Sequence, residues 1–226
     1  MSDLPVPPAI AKIAPDGKLT PRQKRRFLID MSLRKQRPGT GSSPEFLKRR
    51  TAMIEWPDFR QILRGIPWVI IGSVATRAYM PERMTKDMDI LIHKNDGNEV
   101  IQRLQKAGYT VISQLAVPGH LLQSPTGVEV DVLFGDAPWL KDALAQPQFD
   151  AAGYPVLDLP YLVLLKLQAP RIQDWADVPQ MLGLATEEQL DCVQTTVTQY
   201  SPEDSNDLES LIYLGKLETE SPPDGD

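Results

Sequence analysis

The chain is poor in soft and nitrogenous ligands, with one cysteine, Cys192, and two histidines, His93 and His120, in 226 residues. A lone cysteine excludes an internal disulfide framework and fits a reducing compartment. So few nitrogen and sulfur donors leave no basis for a zinc site of the usual type. His93 reads as a polar residue at a strand end, and His120 as an ordinary strand or loop residue. No apolar run approaches the roughly 18–20 residues that a membrane span needs. Met1-Ser2-Asp3-Leu4-Pro5 lacks the charged-then-apolar order of a secretory signal. These absences predict a cytoplasmic protein with no membrane partner.

What is present suffices for one ordinary domain with appendages, since 42% of the residues are hydrophobic. The net charge of −6 is unevenly spread. Arg22 to Arg26, Arg34-Lys35-Gln36-Arg37 and Lys48-Arg49-Arg50 are basic, whereas the stretch from Glu203-Asp204 to Asp226 is acidic. Basic arms attract phosphate backbones by counterion release. Only Phe27 and Phe46 interleave with these cations, however, so an arm folded back on its own acidic tail or body fits equally.

Residues 1–43, with Pro5, Pro7, Pro8 and the run Pro38-Gly39-Thr40-Gly41-Ser42-Ser43, read as a flexible basic arm holding a short helix over 22–33. Ser43 and Pro44 open a helix carrying Phe46, Leu47, Ile54 and Trp56. Pro57 ends it, and Asp58 caps a second piece through Leu63. Strands are expected over 67–71, 88–93 and 109–115, with a hairpin formed by 121–122 and 128–134 around Pro125-Thr126-Gly127. Helices are expected over 74–79 and 97–107. Beyond Gly135 the pattern turns helical, with amphipathic helices over 160–167 and 172–182, a capped start at Thr186, and a last helix from Ser201. The fold class is therefore α/β, a small mixed β-sheet with helices followed by a C-terminal helical segment. The core spans 44–135, the helical part of the same domain 136–215, and an acidic tail 216–226.

The most informative run is Ile70-Ile71-Gly72-Ser73, followed by Arg83-Met84-Thr85-Lys86-Asp87-Met88-Asp89-Ile90-Leu91-Ile92. On a strand, side chains alternate, so Asp87 and Asp89 share one face while Met88, Ile90 and Ile92 take the other. Adjacent carboxylates repel, and a hard divalent cation such as Mg²⁺ or Mn²⁺ is the usual compensation. A pair of solvated aspartates at a strand start explains the Asp-x-Asp equally well. A later alternating strand, Gly127-Val128-Glu129-Val130-Asp131-Val132-Leu133-Phe134, carries two further acids on one face.

Together, Gly72-Ser73-x-Ala75, Arg83-x-Thr85-x-Asp87-x-Asp89 and the strand bearing Asp131 resemble the signature of the DNA polymerase β-like nucleotidyltransferase superfamily. The likeness is to small bacterial members of the abortive-infection and toxin–antitoxin type, and it covers roughly residues 66–182. It implies the polymerase β-like fold, with the core 44–135 as its nucleotidyltransferase part. It also implies that Asp87, Asp89 and Asp131 are the catalytic acids and the ligands of Mg²⁺ or Mn²⁺, with Glu129 as an auxiliary. Gly72 and Ser73 would bind nucleotide together with Arg83 and Lys166. Leu159 to Leu167 and Arg171-x-x-Asp174-x-x-Asp177 resemble the helices that follow the catalytic sheet in that superfamily. The implied substrate is an NTP, ATP included, and the implied acceptor a tRNA-like RNA or a protein, with a cognate toxin or antitoxin as partner.

Each residue also has a plainer reading. Gly72 simply ends a strand, and Lys166 is a solvated lysine on an apolar helix. Arg77 and Arg83 hold carboxylates or phosphates, or are surface charges. Asp174 and Asp177, three apart on a helix, share a face and favour a structural role, orienting Lys166 or Arg171. The rival to an enzyme is a catalytically silent binding module of the same fold, or an antitoxin acting through a partner.

Overall fold

The computed structural model describes residues 6, 8–35, 56–81, 85, 87–169 and 172–219. In chain order the helices are α1 (Pro8–Ala11), α2 (Pro21–Lys35), α3 (Gly72–Ala75), α4 (Gly97–Lys106), α5 (Leu140–Ala145), α6 (Leu159–Gln168), α7 (Ile172–Leu184), α8 (Glu187–Tyr200) and α9 (Ser205–Thr219). The strands are β1 (Trp68–Ile71), β2 (Asp87–His93), β3 (Thr110–Gln114), β4 (Gly119–Gln123), β5 (Glu129–Gly135), β6 (Gln148–Phe149) and β7 (Pro155–Val156). They form one mixed sheet of order β3-β4-β5-β2-β1-β7-β6.

β2 lies at the centre, antiparallel to β1 and parallel to β5. Its alternation does what the sequence dictates: Met88, Ile90 and Ile92 are buried in the core with Val130, Val132 and Leu122. Val100 and Leu104 of α4 join the same core. The hairpin β4–β5 forms in the expected place, with Leu121 opposite Asp131. β6 and β7, two residues each, interrupt a region expected to be helical. A two-residue strand has no periodicity to read; it exists because the Leu157 N–H donates to the Ile70 carbonyl at 2.9 Å, extending the sheet past β1.

Three expectations along the chain are corrected. Residues 60–65 form turns in place of a helix, with the Asp58 carboxylate accepting from the Arg60 N–H at 2.9 Å. The turns still bury Phe59 and Leu63, and Phe59 meets Trp68 edge-on at 5.4 Å. α6 is not amphipathic: apart from Lys166 and Gln168 it is apolar all round, and it is buried between the sheet and the C-terminal helices. Asp158 caps it, accepting from the Leu159 N–H at 2.8 Å, and burial raises that carboxyl above the ordinary range against the pull of the backbone bond. Residues 216–219, expected in the acidic tail, belong to α9. Thr186 caps α8 reciprocally with Gln189, as its sequence anticipates. The helix expected to open at Ser43 and carry Phe46, Leu47, Ile54 and Trp56 lies outside the described residues except for Trp56, which is buried.

Over residues 21–35 the basic stretch is a helix folded back on the acidic part of the chain, the second of its two readings. α2 packs on α9, and Arg25 is 2% exposed. Its Nε donates to Asp207 at 3.0 Å, and its two terminal nitrogens donate to Asp204 and to the Leu167 carbonyl. Arg26 reaches the same Asp207 at 3.1 Å. Arg25 is buried and Arg26 half exposed, and both neutralise the acidic start of the last helix.

α7 and α9 cross where both carry glycine. A Cβ on Gly215 would stand 2.1 Å from the Pro179 carbonyl oxygen, and one on Gly183 would stand 2.3 Å from the Gly215 carbonyl oxygen. Helix propensity alone would make Gly215→Ala stabilising by about 1 kcal/mol. Backbone atoms cannot rotate away, so overpacking of about 1–3 kcal/mol should win. Urea unfolding should therefore show Gly215→Ala destabilised, and a stabilised variant would mean that the two helices do not touch there.

Candidate active site

The site is built on three adjoining strands. Because β1 runs antiparallel to β2 with Ile71 opposite Asp89, the chain leaving β1 passes directly over the Asp89 side chain. Only glycine fits at the next position. Gly72 has φ +66, and an ideal Cβ there would lie 2.0 Å from Asp89 Oδ2. Ser73 follows in the single turn of α3, which continues as a 3₁₀ turn over Thr76–Ala78. The Thr76 hydroxyl donates back to the Ser73 carbonyl at 2.7 Å, fixing that turn.

β2 and β5 then set the acids side by side. Their parallel register pairs Asp87 with Glu129 and Asp89 with Asp131. Neighbouring strands are about 4.8 Å apart, so paired carboxylates on one face come within reach of a common cation. The Asp87 carboxylate accepts from the Thr85 hydroxyl at 2.6 Å. Asp89 and Asp131 are engaged in interactions of their own.

Gly72, Asp89, Asp131 and Lys166 line one cavity of about 480 Å³. Asp87 stands one pleat along β2 and is not part of this lining. Much of the remaining lining is apolar: Leu162 and Leu165 of α6, Leu133 of β5, and Leu115 and Val117 from the connection between β3 and β4. Sequence inspection does not single out Leu115 or Val117, because nothing local marks a hairpin loop as the neighbour of a distant carboxylate.

Lys166 is 3% exposed and neutralised from the next helix. Its ammonium donates to Asp177 at 2.7 Å and to Asp174 at 3.2 Å. The structural role expected for the two aspartates as partners of Lys166 is what the geometry has, and Asp174 lines the cavity as well. The reading of Lys166 as a solvated lysine is corrected: the helix around it is buried, so the ammonium needs these partners. Arg77 is held by the buried Asp150, whose carboxylate accepts from Arg77 Nε at 2.7 Å. Arg83 and Arg171 lie outside the described residues. His93 ends its strand as expected, its Nδ1 accepting from the Asn95 N–H at 3.2 Å.

The donor set Asp87, Asp89 and Asp131, with Glu129 beside it, is all carboxylate oxygen, which suits Mg²⁺ or Mn²⁺. Among the described residues no three His, Cys, Asp or Glu side chains are already gathered around one ion position. No helix among those residues is long and apolar enough to cross a membrane.

Replacing Gly72 by alanine tests this packing. Left-handed backbone costs an L-residue roughly 1–2 kcal/mol, and the new methyl must displace the Asp89 carboxylate. The double variant Gly72→Ala with Asp89→Ala should recover the steric part but not the backbone part, so the two changes should be non-additive in urea unfolding. Strict additivity would place Gly72 away from Asp89.

No family model matches the chain, and no curated protein matches it. Among solved structures, the chain is similar to ANT(2")-Ia in complex with adenylyl-2"-tobramycin, with 16% identity and a TM-score of 0.37 over 69% of this chain and 91% of that one. A solution structure of the antibiotic-resistance factor ANT(2'')-Ia gives 15% identity and a TM-score of 0.37 over 70% and 89%. A Thermotoga maritima protein described as a candidate nucleotidyltransferase gives 16% identity and a TM-score of 0.39 over 59% and 91%. Likenesses of this size carry no inference to the activity of this chain.

Proposed function

We propose that the protein is a metal-dependent nucleotidyltransferase that moves a nucleoside monophosphate from an NTP to a hydroxyl of an RNA or protein acceptor. The observation that carries this reading is the in-register pair Asp89 and Asp131 on neighbouring parallel strands, with Gly72 laid against Asp89 at one cavity. Carboxylates so placed cost stability through repulsion unless a cation joins them. In the reaction the acceptor oxygen bonds to the α-phosphorus, the bond from that phosphorus to the bridging oxygen breaks, and pyrophosphate leaves.

Asp87, Asp89 and Asp131 would hold the Mg²⁺ or Mn²⁺. The metal would supply charge neutralisation of the triphosphate and alignment of attacking and leaving oxygens. Asp131 stands nearest the acceptor side in this reading and helps take up the hydroxyl proton. Gly72 lets the backbone approach the triphosphate, Ser73 offers the N–H groups of a helix start, and Lys166 with Arg83 contacts its phosphates. The resemblance to small bacterial members of the superfamily favours a tRNA-like RNA or a partner protein as acceptor, in a toxin–antitoxin or phage-defence setting in the cytoplasm.

Incubation with each of the four labelled NTPs, Mg²⁺ and a cell extract should label an RNA or a protein. Each NTP is tried separately because nothing in the site specifies the base. No labelling together with no metal-dependent NTP binding would leave the silent binding module as the better reading.

A further inference from the structure

We infer that the acceptor hydroxyl belongs to a polypeptide with apolar residues beside it, read by the loop between β3 and β4, and not to a nucleic acid. The inference rests on the nucleotidyltransferase reading and names the acceptor class of that same site.

The order of the strands gives the cavity two ends. Across the sheet β1 is followed by β2, β5, β4 and β3. Gly72, at the end of β1, and the β3–β4 loop therefore lie on opposite sides of Asp89 and Asp131. The Gly72 end takes the triphosphate in that reading, and the far end lies past Asp131, on the acceptor side. Leu133 is two residues on from Asp131 and shares its face of β5. Leu115 and Val117 of the loop line the cavity with it.

The loop is a fixed wall. The Leu115 N–H donates to the Gly119 carbonyl at 3.1 Å, and the Phe134 N–H of β5 donates to the Pro118 carbonyl at 2.9 Å. Gly119 lies so close to β5 that a Cβ there would stand 2.3 Å from the Val132 carbonyl oxygen. Yet Val117 between these ties is 52% exposed. An apolar wall held in place beside a reacting centre gains by taking an apolar side chain out of water.

Charge argues the same way. Among the described residues the charged lining is Asp89, Asp131, Asp174 and Lys166, and Lys166 is held by Asp174 and Asp177. An RNA acceptor brings a phosphate with every nucleotide and needs lysines or arginines along its track. No other described cation lines the cavity, and Arg22, Arg25 and Arg26 of α2 are turned to Asp204 and Asp207. A peptide backbone carries no charge, and side chains flanking its hydroxyl can bury against Leu115, Val117 and Leu133. In the transfer the oxygen of a serine, threonine or tyrosine bonds to the α-phosphorus and its proton passes to Asp131. The bond from that phosphorus to the bridging oxygen breaks, and pyrophosphate leaves.

The test incubates the full chain with Mg²⁺, each labelled NTP and three acceptor probes. These are synthetic peptides with one hydroxyl residue flanked by leucine and valine, the same peptides flanked by aspartate and glutamate, and a purified tRNA pool. Label should enter the apolar-flanked peptides about tenfold faster than the acidic ones, and the tRNA should stay unlabelled. Val117→Asp should lower kcat/KM for the apolar-flanked peptide about tenfold, through KM, while the Kd of Mg·NTP stays at the parent value. Val117→Lys should lower it likewise, whereas an RNA site would gain from the added cation. The exposed position lets both variants fold. Preferential labelling of tRNA, equal use of the two peptide series, or weaker NTP binding by Val117→Asp would each overturn the inference. So would NTP binding by the parent with label in no peptide. If the parent binds no Mg·NTP at all, it is the nucleotidyltransferase reading that fails, and this inference goes with it.

Discussion

Mg²⁺ with an NTP should raise the melting temperature of the parent protein, and Asp89→Asn should abolish that rise while the apo variant stays folded. A ligand at a hundred times its Kd stabilises the native state by about 2.7 kcal/mol. For a chain of this size that is a rise of roughly 5–10 °C. Asparagine keeps the shape of aspartate, so it fits under Gly72, and it relieves repulsion from Asp131. The apo protein should accordingly melt near the parent temperature. What the variant loses is the negative oxygen that a hard cation requires. Transfer of nucleotide should fall by roughly 10²–10³-fold, the usual size for removing one preorganised charge-stabilising group. Thermal-shift measurement with and without Mg·NTP decides the matter: the same shift in variant and parent would remove Asp89 from the site.

Arg25→Met should lower stability by about 3–5 kcal/mol, the cost of leaving buried charges without their partner. Asp204 and Asp207 are nearly as buried as Arg25 itself, so the loss leaves two buried carboxylates with only the half-exposed Arg22 and Arg26 as cations. It also removes the donor to the Leu167 carbonyl near the end of α6. Arg26 supplies the contrast: its side chain is 48% exposed, and an exposed pair is worth only about 0–1 kcal/mol. Arg26→Ala should therefore be nearly silent in the same urea titration. If Arg25→Met is silent too, α2 does not dock on α9, and the basic stretch is a solvated arm.

The central strands and the acidic faces they carry were legible in the sequence because both are local. Period-2 alternation in Asp-Met-Asp-Ile-Leu-Ile puts the acids on one face of β2, and the same alternation in Glu-Val-Asp-Val-Leu does so for β5. The Gly72 turn, the Thr186 cap and the β4–β5 hairpin were equally readable, each being specified within a few residues. Which acid faces which was not. The pairing of Asp89 with Asp131 depends on β2 and β5 being parallel neighbours, a choice made by burial of the apolar face across some forty residues of chain.

The sequence by itself determined the α/β class, the acidic strand faces and the helix starts, since propensity, alternation and capping act over a turn or a pleat. Only the tertiary structure decided the fate of the charges. Arg25 and Lys166 look like solvated cations in a window of ten residues, but one is buried by α9 and the other by α7, and each then requires carboxylates 182 and 11 residues away. Burial is a property of what packs on top, and desolvation is what turns a surface charge into a fixed, partnered one.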